Sequence, residues 1–391
     1  MINLKDIKKY ESYIIEKRRD FHMHPETGFQ EFRTSKVIEA ELHSMGFDLV
    51  TGVGVTGIVG TLKGSKKGKT VLLRADIDAL NMQEENDCTY KSLNDGVMHS
   101  CGHDTHTAML LGACKFFSEN KDSLEGTLKV VFQSAEEGPM PGGGSFVVKE
   151  GHLDDVDGVF GLHITTKYTA GTISIKSGPA MAAPDEFKVK VTGKGTHASA
   201  PHTGSDVILT ASKIITNLQS IISRDISPLD PVVISVCTID GGTAFNILPD
   251  QVEFSGTIRT LNKDTRQFVF KRIKEVVSSI SKLNNCESNV EIIEAYPPVI
   301  NDVVETEFVI GVGQELLGNK NVTILTEPSM GGEDFSYYLE KRPGSYFWLG
   351  GRNKDLKEVY YNHNPKFDID ESSLLIGTMM HINVAIEYLK K

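Results

Sequence analysis

Residues 98–106, Met-His-Ser-Cys-Gly-His-Asp-Thr-His, gather three histidines, a cysteine and an aspartate at the mouth of an apolar stretch that reads as a helix. Such a run constrains the fold more than any other, because its polar groups need partners from elsewhere in the chain. A thiolate and a neutral imidazole both suit a borderline divalent cation, and Gly102 between Cys101 and His103 lets the backbone bend so that the two converge. The plain alternative is a small buried hydrophobe at Cys101 with loop histidines around it.

A metal site needs three or more ligands, which can come from distant segments. Three segments carry matching donors. Gln133-Ser134-Ala135-Glu136-Glu137-Gly138 follows the apolar run 128–132, Gly161-Leu162-His163 follows the run 156–160, and Asn362-His363-Asn364-Pro365 precedes the last helix. Each places its donor just past an expected strand end. Cys101, His103, Glu137, His163 and His363 are enough for two cations if one ligand or a water bridges them. Two adjacent glutamates do not both coordinate comfortably from one strand end, which leaves Glu136 as a general base. It would take a proton from a cation-acidified water and deliver it to a leaving amine. Without the other donors, the pair would read as two surface glutamates in a turn.

Taken in order, the chain is helical over 4–45 with a break at His24-Pro25, then carries strands at 57–62 and 70–76. Of Asp76 and Asp78 at the second strand's end, only one is expected to face a site; a solvated turn is the alternative. Asp104 would cap a helix over 106–117, and 126–133 returns as a strand. This alternation predicts a sheet with helices on its faces and functional residues at strand carboxyl ends. From Pro179 the order changes to strand 187–191, helix 206–223, strands 232–239 and 251–259, helix 266–283 and strand 288–293, a ferredoxin-like β-α-β-β-α-β series. Helix and strand alternate again from Asp302, and a helix over 371–389 ends the chain. For His363 to join the site, the middle module has to be an insertion. The expectation is an α/β protein in which 1–178 and 299–391 form a mixed-sheet α/β/α dinuclear-metal domain, with 179–298 inserted as a second domain.

A net charge of -11 disfavours nucleic acid or an anionic membrane as partner, because both require clustered cations. No run approaches the roughly 18 apolar residues of a membrane span, and Met1-Ile2-Asn3-Leu4-Lys5 lacks a signal-peptide core, so the expected location is cytoplasmic. Five irregularly spaced cysteines argue for a reducing compartment rather than a disulfide framework.

The chain resembles the M20 metallopeptidase family over nearly its whole length, specifically the amidohydrolase branch of aminoacylases, hippurate hydrolases and acyl-diaminopimelate deacetylases. The resemblance rests on Arg18-Arg19-Asp20-Phe21-His22 with Pro25-Glu26 and Gly28-Phe29, and on stretches 73–80, 98–108, 132–138, 161–163, 197–206, 241–259, 330–338 and 363–365. It implies that Cys101, His103, Glu137, His163 and His363 hold two divalent ions, that Glu136 is the base, and that Asp78 orients the ligands. It further implies a lid or dimerisation role for the inserted domain 179–298, that His197, helped by Asn246, stabilises a tetrahedral oxyanion, that in dimers such residues reach the neighbouring subunit's site, and that Arg259 grips a substrate carboxylate. Other branches carry His-x-Asp where this chain has Asp76-Ile77-Asp78, so the Cys101/His103 pair would replace an imidazole. Thiolate softness favours zinc, the branch resemblance favours manganese, and nickel or cobalt are further options.

The leading expectation is a metal-dependent hydrolase that cleaves N-acyl amino acids into a carboxylic acid and a free amino acid, working as a homodimer through the inserted domain. The alternatives are a dipeptidase or carboxypeptidase, whose substrate is a short peptide, and a non-catalytic binder of acyl amino acids with the same fold.

Overall fold

Four apolar runs, 71–75, 128–132, 158–162 and 346–349, form the centre of an eight-stranded sheet in the computed structural model, which describes residues 1–355 and 357–391. Strand Lys66–Asp76 runs parallel to Glu125–Gln133 on one side and to Gly158–Thr169 on the other, and Gly344–Arg352 extends the parallel set. The antiparallel pair Asp48–Val53 and Gly57–Lys63 closes one edge, and Ile173–Ile175 and Val322–Ile324 close the other. Strands covered on both faces need mostly apolar runs, as these are apart from Arg74 and Lys129. A parallel set also delivers its carboxyl ends to one edge, where ligands collect in open α/β sheets.

Helices His103–Glu119 and Ser372–Leu389 are buried along most of their length and pack on each other and against strand Lys66–Asp76. A helix that is apolar all round is one enclosed on every side. The first of them starts at His103, three residues before the expected start, and Asp104 does not cap it. Gly102 occupies the N-cap with φ 94°, and Asp104 turns inward to meet Arg18 and His22. A side chain at position 102 would suffer the positive φ and place its Cβ 2.6 Å from Ile164 Cγ2, so glycine serves both the turn and the close approach.

By compactness the chain forms two units. The larger comprises Met1–Gly178, Ile300–Glu327 and Asp334–Lys391, and the smaller comprises Pro179–Val299 with Pro328–Glu333. The run Pro328–Glu333 is tied to the smaller unit by Ala182 N–H, which donates to the carbonyls of Ser329 and Gly331, and by Arg259 Nε, which donates to Met330 O. Within the smaller unit, four antiparallel strands lie in the order Val232–Asp240, Gln251–Thr260, Ala183–Thr192, Glu287–Ile293. Helices Val207–Ser220 and Lys263–Leu283 pack on that sheet over a core that includes Phe187, Ile214, Leu218, Ile258 and Ile273, a ferredoxin-like arrangement. Among the described residues no helix is long and apolar enough to cross a membrane, and no disulfide forms.

Candidate active site

At the carboxyl edge of the parallel strands, the loop after Lys66–Asp76 brings Asp78 between two other segments. Its Oδ1 lies 3.0 Å from His103 Nδ1, and its Oδ2 accepts the Glu137 N–H at 2.8 Å. One carboxylate therefore aims the His103 ring and fixes the turn that carries both glutamates. With Nδ1 engaged, His103 presents Nε2, which is buried without a hydrogen-bond partner and lies 3.7 Å from Asp76 Oδ2 and 3.9 Å from Glu136 Oε2. Burial lowers the His103 pKa, but Asp76 and then Asp78 push it up to about 10. Positive charge, from a proton or a metal ion, is what this pocket favours at Nε2.

Cys101 Sγ sits 3.2 Å from His163 Nε2. His163 Nδ1 lies 2.7 Å from the Ile164 carbonyl, a contact that puts the proton on Nδ1 and leaves Nε2 as a lone-pair donor. Burial, joined by His106, pushes His163 down to about 3, which keeps the ring neutral. On the other side, His363 Nε2 approaches Glu137 Oε1 at 2.9 Å without making a hydrogen bond. The His363 loop is sewn to the Cys101 loop by two bonds, His363 N–H to Ser100 O and Asn362 Nδ2 to the Cys101 carbonyl, and to the strand of His163 by a third, Asn362 Nδ2 to the Ile164 carbonyl. Burial, Glu137 and Glu136 push the Cys101 thiol well up, and a bound cation reverses that order by holding the sulfur as thiolate.

These donors fit divalent ions. Ligand atoms of Cys101, His103 and His163 lie within 4.8 Å of one another, as do those of Cys101, Glu137 and His363 and those of His103, Glu136 and Glu137. Cys101, His103 and Glu137 each belong to two of these three groups, so the donors form one continuous cluster that would hold a pair of adjacent ions. The orphaned His103 Nε2 and Glu137 Oε1 are the kind of buried polar atom that native structures rarely leave without a partner.

Two expectations need correction. His163 does not follow a strand end; it lies inside Gly158–Thr169, opposite Trp348 of the neighbouring strand. Both Asp76 and Asp78, not one of them, reach His103, because residues two apart on an extended backbone share a face.

The sequence reading also missed a buried support. Asp76 Oδ1 lies 2.5 Å from His106 Nδ1, His106 Nε2 accepts the Ile164 N–H, and Arg74 links Asp76 to Asp334 through bonds of 2.6 and 2.7 Å. Burial opposes ionisation of Asp76, but His103, Arg74 and His106 hold it well below the usual carboxylate range. His106, which the sequence left without an assigned role, thus fixes Asp76 and the strand that carries His163. Asp334 accepts from Arg74, Gln133 and the Gly144 N–H. A buried arginine in an apolar strand is the signal that could have exposed this network.

The smaller unit holds His197, Asn246 and Arg259. Thr196–His197 pairs with Ile247–Leu248, and Ala198 N–H donates to Asn246 O, so the first two residues are neighbours. His197 Nδ1 accepts the Ser199 N–H at 3.2 Å, with Ser199 Oγ at 2.7 Å. Arg259 donates from Nε to Met330 O and from Nη1 to the Ile258 carbonyl and to Thr257 Oγ1. Burial, opposed by Asp185, lowers its pKa.

The sequence profile of peptidase family M20/M25/M40 matches residues 72–387. The chain belongs to this family. It is similar to thermostable carboxypeptidase 1 of Saccharolobus solfataricus, 41% identical over 388 residues that span 99% of this chain and 98% of that one. It is also similar to the N-acetyl-L-cysteine deacetylase of Bacillus subtilis, 38% identical over 96% of this chain and 87% of that one. Among solved structures, a Bacillus subtilis dinuclear metal binding peptidase of the M20 family superposes with a TM-score of 0.84 at 32% identity, over 98% of this chain and 99% of that one. The M20 chain described here is a metal-dependent hydrolase of amide bonds, and its relatives fit the family's amidohydrolase branch.

Proposed function

We propose that this M20 hydrolase deacylates N-acyl amino acids, releasing a carboxylic acid and a free amino acid. The observation that carries the reading is Glu136, buried and grouped with His103 and Glu137 alongside the other donors. Cys101, His103, Glu137, His163 and His363 would hold two divalent ions, manganese by family resemblance or zinc by thiolate softness; bound there, the ions supply Lewis-acid polarisation and acidify water. Glu136 takes the proton of the attacking water and hands it to the departing amine nitrogen. Asp78 keeps His103 and the glutamate turn in register while this occurs. For His197 the proposed role is oxyanion donor, with Asn246 assisting. A neutral ring that accepts at Nδ1 carries its proton on Nε2, the donor which that role requires. Arg259 offers a planar fork to the substrate carboxylate.

The relative named for N-acetyl-L-cysteine deacetylation supports the acyl amino acid reading, and the one named carboxypeptidase supports a peptide substrate. A panel of N-acetyl and N-benzoyl amino acids against dipeptides with a free α-amine, assayed with added manganese, separates them. Faster release from the acyl amino acids is expected, and a preference for free-amine dipeptides would shift the assignment to a peptidase. Glu136→Gln should lower turnover roughly 10³-fold while keeping its metal; undiminished turnover ends the base assignment. A cytoplasmic homodimer is part of the same proposal. In the smaller unit, Ile208, Leu209, Ile239, Phe245 and Ile247 are exposed, several of them beside the edge strand Val232–Asp240.

A further inference from the structure

Glu31 is fully buried yet lies outside the donor groups described above. Its Oε1 accepts the Ala135 N–H at 2.8 Å, and its Oε2 accepts the Thr56 hydroxyl at 2.5 Å. Ala135 has φ 49°, a left-handed conformation that a residue with a Cβ adopts only when its surroundings hold it there. The Ala135 carbonyl is held by Gly143 N–H at 3.1 Å, and two residues on, the Glu137 N–H is held by Asp78. Glu136 therefore sits between two backbone N–H groups, each clamped by a buried carboxylate, Glu31 before it and Asp78 after it.

The segment that carries Glu31 is built against this turn. A Cβ on Gly28 would lie 1.9 Å from the Gly138 carbonyl and 3.0 Å from Ala135 Cβ, so only glycine permits the approach. Ala79 N–H donates to Glu26 O, and Thr27 bridges to Ala79, which ties the same segment to the loop of Asp78. Burial, and then the Asp78 carboxylate, push Glu31 up to about 7. An apolar residue would avoid the desolvation but leave both donors without an acceptor.

We propose that Glu31 is a positioning residue for the general base: by accepting the Ala135 N–H it fixes the left-handed turn, and with it the direction in which Glu136 points. The inference rests on the reading of Glu136 as base. It makes the acceptor oxygen at this spot the requirement, and the negative charge incidental. Glutamine keeps an oxygen for Ala135, and the Thr56 hydroxyl can rotate to accept from its amide, so Glu31→Gln should behave as wild type.

The test measures kcat, KM and bound manganese for the full chain on an N-acetyl amino acid. Glu31→Gln is expected to keep kcat within about threefold, while Glu31→Ala lowers it about 100-fold at unchanged KM and metal content, the scale of a base displaced by an ångström. If Glu31→Ala does not accumulate as folded protein, Glu31→Asp, which keeps the charge but withdraws the oxygens by one methylene, carries the test and should show the same loss in kcat. Full kcat in the alanine or aspartate variant overturns the inference, as does a glutamine variant as impaired as they are. Glu136→Gln in the same assay separates the two layers. If it loses turnover while Glu31→Ala keeps it, only the positioning role fails; if it keeps turnover, the base assignment and the role built on it fall together.

Discussion

Asp78 shows how much one side chain can organise when its two oxygens serve different segments. The contact to His103 Nδ1 sets which nitrogen faces the donors, and the bond to Glu137 N–H sets where the glutamates stand. Partners of this kind tune metal ligands by aiming them, and their loss typically costs 10- to 100-fold in affinity, roughly what Asp78→Ala should show in a chelator competition with manganese. Unchanged affinity would mean that His103 keeps its aim without help. At this scale the sequence exposes candidate donors better than their supports. Cys101 and His103 announce themselves by type and spacing, and Glu136, Glu137, His163 and His363 by the same chemistry at segment ends. Arg74 and Asp334 stand 260 positions apart, and Glu31 and Ala135 stand 104 apart, so the bonds that give them meaning exist only once the chain has folded.

Among elements, the helix Ser372–Leu389 carries a group that ties folding to pH. His381 is buried there with Nε2 unpartnered, and burial, joined by His106, pushes its pKa down to about 3. In the unfolded chain the same ring titrates near 6.5, roughly the ordinary histidine value, so below that pH the unfolded state binds a proton that the folded state refuses. Its contribution is thus complete above about 6.5 and lost as pH falls toward about 3, at up to roughly 1.4 kcal/mol per pH unit. Denaturant unfolding with chelator present should therefore show His381→Leu gaining on wild type as pH drops from 6 to 5, by roughly 1 kcal/mol; parallel stability curves would contradict it. Most elements were legible because periodicity reports burial. The apolar runs predicted the central strands except Gly344–Arg352, which the sequence reading passed over, and the break at His24-Pro25 separated Glu11–Met23 from Phe32–Ser44. Boundaries were less so. Gly158–Thr169 continues past the apolar run to include His163, since pairing with Gly344–Arg352 rather than apolar content keeps it extended. The central helix begins at His103 because Gly102, not Asp104, makes the turn.

At the scale of the whole molecule, the larger unit is discontinuous: the chain leaves it at Gly178 and returns at Ile300, so that His363 can join donors more than 200 positions earlier. The need for that return was readable from His363 itself, and the intervening β-α-β-β-α-β order identified the smaller unit's fold. What lies on the smaller unit's surface, including the fully exposed Phe245, follows no periodic pattern and became visible only in three dimensions. On the proposed reading, the larger unit would hold two ions with Cys101 within reach of both, one beside His103 and His163 and one beside Glu137 and His363. Anomalous diffraction from crystals soaked in Mn²⁺ tests this directly. Two peaks are expected, both within bonding distance of Cys101 Sγ, one beside each pair of donors; a single peak, or a pair that leaves Cys101 uncoordinated, would contradict the shared-thiolate centre.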